Sequence, residues 1–342
     1  MKTDSRIVYL DNLKVVASFM VVILHISAQG WTKYDINSYN WKIVNIYDGI
    51  VRCAVPIFVM ISGVLFLNKK IDCFNIYKTY ISRLVIAYIF WSIIYAIYNG
   101  GSVKQIIGNS IKGYYHMWYI QMLIGIYIVL PILYLIKDNI NILKYVLCIG
   151  FVFIFIIPEI IYVINDFGTP NIVKVADALN YILNNMSVMI IGKYSFYFLL
   201  GYYIDLTNYD LRMKQYIYLF GFLGVLSTII LTQISSCMIG CAKATYFDNF
   251  TVGILVESIA IFVLFKDYIK KNNIIITISK SSMGIYLVHV LFIEIFLKNF
   301  DKYFLNINPI FSIPVLAIII YIASFIVAFL LRKIPVIGQY IA

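Results

Sequence analysis

Lys14 and His25 stand eleven positions apart in YLDNLKVVASFMVVILHIS (residues 9–27), a stretch otherwise made for lipid. On an α-helix, with about 100° and about 1.5 Å per residue, eleven steps return a side chain to within about 20° of the same face, about 16 Å further along. On the same reckoning Ser18 falls about 40° from Lys14, and Asp11 about 60° from it on the other side. Asp11, Lys14, Ser18 and His25 therefore form one polar stripe on an apolar rod. Ionisable groups inside a bilayer are costly and normally face the bundle interior or a wet cavity. A competing reading makes Asp11 and Lys14 interfacial anchors on one side and His25 an anchor on the other; the shared face weakens it for His25. A histidine titrates near neutral pH and takes a hydroxyl proton readily, so His25 is the candidate general base.

Other groups carry chemistry less directly. Ser282, Tyr286 and His289 recur at i, i+4 and i+7, a second polar stripe, for which hydrogen bonding between helices is the competing role. His116 and Trp118 open an apolar run with Gln121 close behind; aromatic planes suit sugar rings, and an interfacial aromatic belt is the alternative. Asp48 and Arg52 are four apart and can pair on one face, for structure as readily as for a site. Lys78 and Arg83 begin another apolar run and could equally be flanking charge. Glu257 and Glu294 lie within apolar runs and have no role beyond pairing with a cation. The three histidines are scattered along the chain with no His-x-x-x-His pair or acidic cluster, so no metal site is expected.

The elements that must position these residues are helices. Of the 342 residues, 62% are hydrophobic and 13% charged, with mean hydropathy +0.89, far from the composition of a soluble domain. Apolar runs of membrane-crossing length fall at about 6–28, 50–67, 77–98, 115–136, 142–163, 187–205, 214–232, 250–267, 274–297 and 310–332. Residues 100–114 and 171–186 are candidate interfacial or re-entrant pieces. The runs are continuous rather than alternating, which excludes a β-barrel. The expectation is an all-α integral membrane protein, a bundle of about ten transmembrane helices, forming a single domain over 1–342. MKTDSRIVYL lacks the small-residue end of a cleavable signal, so the first run is expected to stay as a helix. The net charge of +11 is mostly topogenic, not a nucleic-acid footprint. With the N-terminus inside, the inner loops hold more Lys and Arg than the outer ones, which places both termini in the cytoplasm. Of the five cysteines, Cys237 and Cys241 share a predicted outer segment, as a disulfide or as two thiols.

The first run resembles the opening helix of the membrane-bound acyltransferase family 3, whose signature is a basic residue, ten residues, then His. The likeness continues through YDGIVRCAVPIFVMISGVLFL (47–67), YKTYISRLVIAYIFW (77–91), HMWYI (116–120) and SKSSMGIYLVH (279–289), in the family's order. Two departures stand out. Many members carry Arg-x-x-Arg on the third helix, where this chain has Tyr80 and Arg83. Lys14 replaces the more usual arginine, and a lysine cannot grip phosphate in a bidentate fork.

The resemblance implies a cell-membrane O-acyltransferase that takes an acetyl or related acyl group from cytoplasmic acetyl-CoA. The acceptor would be a hydroxyl of a sugar, polysaccharide or lipid-linked glycan of the cell envelope. Lys14, Lys78 and Arg83, with Ser18, Ser282 and Tyr286, would serve the acyl-CoA donor. His116, Trp118, Asp48, Arg52 and His289 would face the acceptor, and His25 would be the base. Membrane lipid is the surrounding partner and no nucleic acid is implied. A transporter or flippase of a glycan precursor fits the same polar stripe. Against it, the chain shows neither two related halves nor clear midplane breaks.

Overall fold

The computed structural model describes residues 7–69, 72–186, 192–267 and 272–342. The described residues form helices and turns with no strand. In chain order these are α1 (Val8–Trp31), α2 (Tyr39–Val51), α3 (Ala54–Leu67), α4 (Cys73–Asn75), α5 (Ser82–Asn99) and α6 (Val103–Lys112). They continue with α7 (Trp118–Lys137), α8 (Ile140–Gly150), α9 (Ile157–Phe167), α10 (Pro170–Asn185), α11 (Lys193–Leu206) and α12 (Leu211–Ile239). The last are α13 (Val252–Asp267), α14 (Asn273–Lys280), α15 (Ser282–Asn306), α16 (Pro309–Arg332) and α17 (Gly338–Ile341). Among the described residues, nine helical stretches are long and apolar enough to cross a membrane, and the chain is an all-α multi-helix membrane protein.

Several boundaries differ from the sequence expectation, each for a local reason. The span expected at 50–67 starts earlier, because Ser38 caps α2 by accepting from Trp41 N–H and Trp41, Val44 and Asp48 turn inward. The chain then bends at Arg52–Cys53 before α3 begins. Pro56 has no N–H to offer the carbonyl of Arg52, so the ladder cannot run straight through. Residues 100–114 contain α6, started by a Ser102–Gln105 capping box and stopped by Gly113 at φ 77°. Its exposed Val103, Ile107 and Ile111 lie on one face. Residues 170–185 form α10. Of the span expected at 187–205, residues 187–191 lie outside the described residues, as does residue 6 of the first span; the remainder is α11, 14 residues long and mostly buried. Ser281 separates α14 from α15 within the span expected at 274–297.

Two compact units are distinguished. One comprises Met1–Ile26, Lys69–Tyr134 and Lys270–Ala342, the other Ser27–Asn68 and Leu135–Ile269. In the second unit α3 and α11 cross at glycines. A Cβ on Gly63 would overlap the carbonyl of Phe198, and one on Gly201 the backbone of Met60. Small residues at such crossings let backbones approach closely where lipid supplies no hydrophobic drive between helices.

Gly63→Leu should therefore destabilise the protein by about 1–3 kcal/mol or more, the cost of overpacking against backbone that cannot yield. Gly125→Leu is the control, since a Cβ there meets nothing within 4 Å. Thermal unfolding in detergent should show a lowered midpoint for the first variant only.

Candidate active site

The first unit brings all three histidines of the chain together. Ring centroids lie 5.1 Å apart for His25 and His289, 5.7 Å for His116 and His289, and 6.4 Å for His25 and His116. Their spacing along the chain carried no indication that they meet. Convergence needs three elements, namely α1, the turn at Tyr115–Met117 ahead of α7, and α15. Among the described residues, no group of three or more His, Cys, Asp or Glu is arranged to hold a metal ion.

Tyrosines wall the cluster. Tyr95, Tyr286, Tyr115 and Tyr114 stand 5.1, 5.4, 5.7 and 5.8 Å from the His116 ring, and Tyr115 is also 5.7 Å from His25. The Tyr286 hydroxyl donates to the backbone carbonyl of His116. The Tyr95 hydroxyl donates to the Leu287 carbonyl at 2.8 Å and accepts from Leu291 N–H at 3.1 Å, the two groups that bond each other in a regular helix. It thereby fixes α15 on both sides of His289. Glu294, for which the sequence offered only a cation, accepts from the Tyr114 hydroxyl at 3.1 Å.

Polar atoms in this cluster are not all satisfied. Both His116 ring nitrogens and His289 Nε2 are buried without a hydrogen-bond partner, although the Leu287 carbonyl lies near the His116 ring. Buried polar atoms in native proteins are normally paired, and an orphan calls for a functional or solvent explanation. His25 itself is half-buried, while His116 and His289 are fully enclosed.

The opposite end of this unit is cationic. Asp11 accepts from the Ser279 hydroxyl at 2.6 Å, and Ser18 shares a 2.7 Å hydrogen bond with Tyr321. Pairing of Asp11 with Ser279 and of His25 with His289 means that α1 and the α14–α15 segment run side by side in one direction. Arg332 donates to the Ser281 hydroxyl at 3.4 Å, and Arg83 to the Ala342 backbone oxygen at 3.4 Å. The Arg83 and Arg332 guanidinium groups are close enough to repel. Lys14 lies half-buried on α1 one turn above Asp11. Sequence reasoning passed over Arg332 as an inner flanking charge; its position at the end of a long apolar helix was the available signal, but its neighbour was not visible. Lys78 reaches over the Phe74 ring at 5.6 Å. Ser282 is half-buried at the start of α15.

Trp118, 40% exposed, opens α7 beside Tyr119, and Gln121 donates to the Tyr88 hydroxyl at 2.7 Å. Asp48 and Arg52 belong to the second unit. Arg52 Nη2 bonds the fully buried Asp48 carboxylate at 2.5 Å, Ser27 donates to the same carboxylate at 3.3 Å, and the guanidinium lies 4.3 Å from the Phe247 ring centroid. Glu257 is buried beside the Cys53 thiol, not a cation. Cys53, Cys148, Cys237 and Cys241 are free thiols.

A family model described as an acyltransferase domain matches residues 7–333. The chain belongs to membrane acyltransferase family 3. It is a multi-pass membrane acyltransferase. No curated protein and no solved structure matches the chain.

Removing one partner of the Asp48–Arg52 pair should be costly, because it strands a buried charge. Arg52→Ala should destabilise by about 3–5 kcal/mol, and Asp48→Asn added to it should recover much of the loss. Denaturation midpoints of the single and double variants in detergent test the pair.

Proposed function

We propose that this acyltransferase moves an acetyl or closely related acyl group from acyl-CoA to a hydroxyl of a cell-envelope glycan or its precursor, with His25 as general base. One observation carries the reading. The first unit has a cationic end, with Lys14, Arg83 and Arg332, and a histidine–tyrosine end about 16 Å further along α1. Cations suit the phosphates of the nucleotide. The arm linking them to the thioester matches a ligand held at one end and reacted at the other.

The acceptor oxygen attacks the thioester carbonyl carbon while His25 takes the hydroxyl proton. The new carbon–oxygen bond forms, the carbon–sulfur bond breaks, and the proton on His25 passes to the departing sulfur to give free CoA. A thioester is already activated, so base and alignment supply most of what is needed. Tyr115, Trp118 and Tyr119 offer ring faces on which a sugar can rest. If the N-terminus is cytoplasmic, the cationic end faces the cytoplasm, where acyl-CoA is made, and the histidine end faces outward.

His25→Ala should lower transfer from labelled acetyl-CoA by about 10²–10⁴-fold with the donor still bound, as general-base loss does. Near-normal transfer by this variant would remove His25 from the chemistry.

Lys14→Ala, Arg83→Ala and Arg332→Ala should each raise KM for acetyl-CoA more than KM for the acceptor, and Lys14→Arg should be tolerated. Equal losses toward both substrates would assign these cations to structure. In sealed vesicles of known orientation, acetyl-CoA should support reaction from the cytoplasmic side only. Passage of unmodified glycan without acetyl-CoA would instead identify a flippase.

A further inference from the structure

His289 occupies a different position from the other two histidines. Its Nδ1 lies 2.7 Å from the Tyr286 carbonyl oxygen and 3.2 Å from that of Ile285. Carbonyl oxygens only accept, so Nδ1 must carry the proton. The ring is thereby locked in one tautomer, which leaves a lone pair on Nε2. That nitrogen is buried and has no hydrogen-bond partner. Among the three imidazole pairs, His25–His289 has the shortest separation, 5.1 Å between centroids. A ring nitrogen stands about one bond length from its ring centre, so rotation of the His25 ring can bring one of its nitrogens to hydrogen-bond distance of His289 Nε2, whereas His25 and His116, at 6.4 Å, stand too far apart for such a bond.

We propose that His289 is the positioning residue for His25: its Nε2 lone pair accepts the distal N–H of the His25 ring, fixing the tautomer that turns a bare nitrogen toward the acceptor hydroxyl. The proposal rests on His25 being the base. A buried acid does this for the histidine of hydrolytic triads; here a neutral imidazole does it, with no ion to desolvate in the bilayer. The Tyr95 bridge at Leu287 and Leu291 holds the helix that presents the ring. His289 takes no proton in the reaction, and the proton on His25 still leaves with the CoA sulfur.

Two variants and one spectrum test this. His289→Gln keeps a neutral acceptor near the Nε2 position, whereas His289→Phe keeps the ring volume and loses the acceptor. The expected order of kcat for acetyl transfer is His, then Gln, then Phe, with Phe down on the order of 10²-fold and KM for acetyl-CoA unchanged in both. A packing role predicts the reverse order, since Phe preserves the planar ring. The chain has only three histidines, so 15N-histidine spectra of the full-length protein resolve each imidazole. His25 should be a single tautomer in the wild type and a mixture in His289→Phe. If Phe equals or exceeds Gln, or if the His25 tautomer does not change, the proposal is overturned while the base reading stands. If His25→Ala keeps transfer, the base reading itself falls. Should His289→Phe fail to fold, the wild-type spectrum and the Gln variant still decide, because a mixed His25 tautomer in the wild type excludes the lock.

Discussion

A bilayer offers no hydrogen bonds, so every polar side chain carried into it must find its partner within the bundle. This requirement organises much of what the helices do. Asp11 meets Ser279, Ser18 meets Tyr321, Glu294 meets Tyr114, and Asp48 meets Arg52 and Ser27. Asp11–Ser279, Ser18–Tyr321 and Asp48–Ser27 each fix one helix against another at a given height, and Glu294–Tyr114 ties α15 to the turn ahead of α7. Because the lost alternative is lipid rather than water, a helix that slides by one turn strands a polar atom. The polar residues thus act as register pins for an otherwise featureless apolar surface.

The same requirement makes the histidine cluster conspicuous. Around it tyrosine hydroxyls bond the backbone and a carboxylate, with Tyr286 on the His116 carbonyl, Tyr95 bridging Leu287 and Leu291, and Tyr114 on Glu294. The imidazole nitrogens of His116 and the Nε2 of His289 are left over. Other buried polar atoms without partners, such as Asn45 Oδ1, Thr232 Oγ1 and Ser324 Oγ, stand singly elsewhere among the described residues, whereas these three nitrogens share one cluster. The cationic end shows Arg83 and Arg332 as neighbours of like sign, Arg332 bonded to the Ser281 hydroxyl and Arg83 to the Ala342 backbone oxygen.

Arg332 also bears on the departure at Tyr80. A single arginine on the helix that starts at Ser82 leaves the third-helix motif with one guanidinium. The chain brings a second from the far end of α16, more than two hundred positions away in sequence. Charge at a site is a property of the folded surroundings, and one helix does not have to supply all of it.

The membrane class, the helical architecture, the family and the polar face of α1 were legible in the sequence, because hydropathy and the 3.6-residue period are local properties of the chain. Asp48–Arg52 was legible for the same reason, being one turn of one helix. Helix ends were less so: the start of α2 depends on the Ser38 cap and on inward packing of Trp41, and neither follows from apolar run length. The convergence of His25, His116 and His289, the partners of Glu257 and Glu294, and the proximity of Arg83 to Arg332 were decided by the tertiary structure alone. Helices packed through interchangeable apolar faces carry no sequence-local record of which neighbour they choose; that choice is set by small-residue crossings such as Gly63 and Gly201 and by polar pairs that exist only once the bundle has formed.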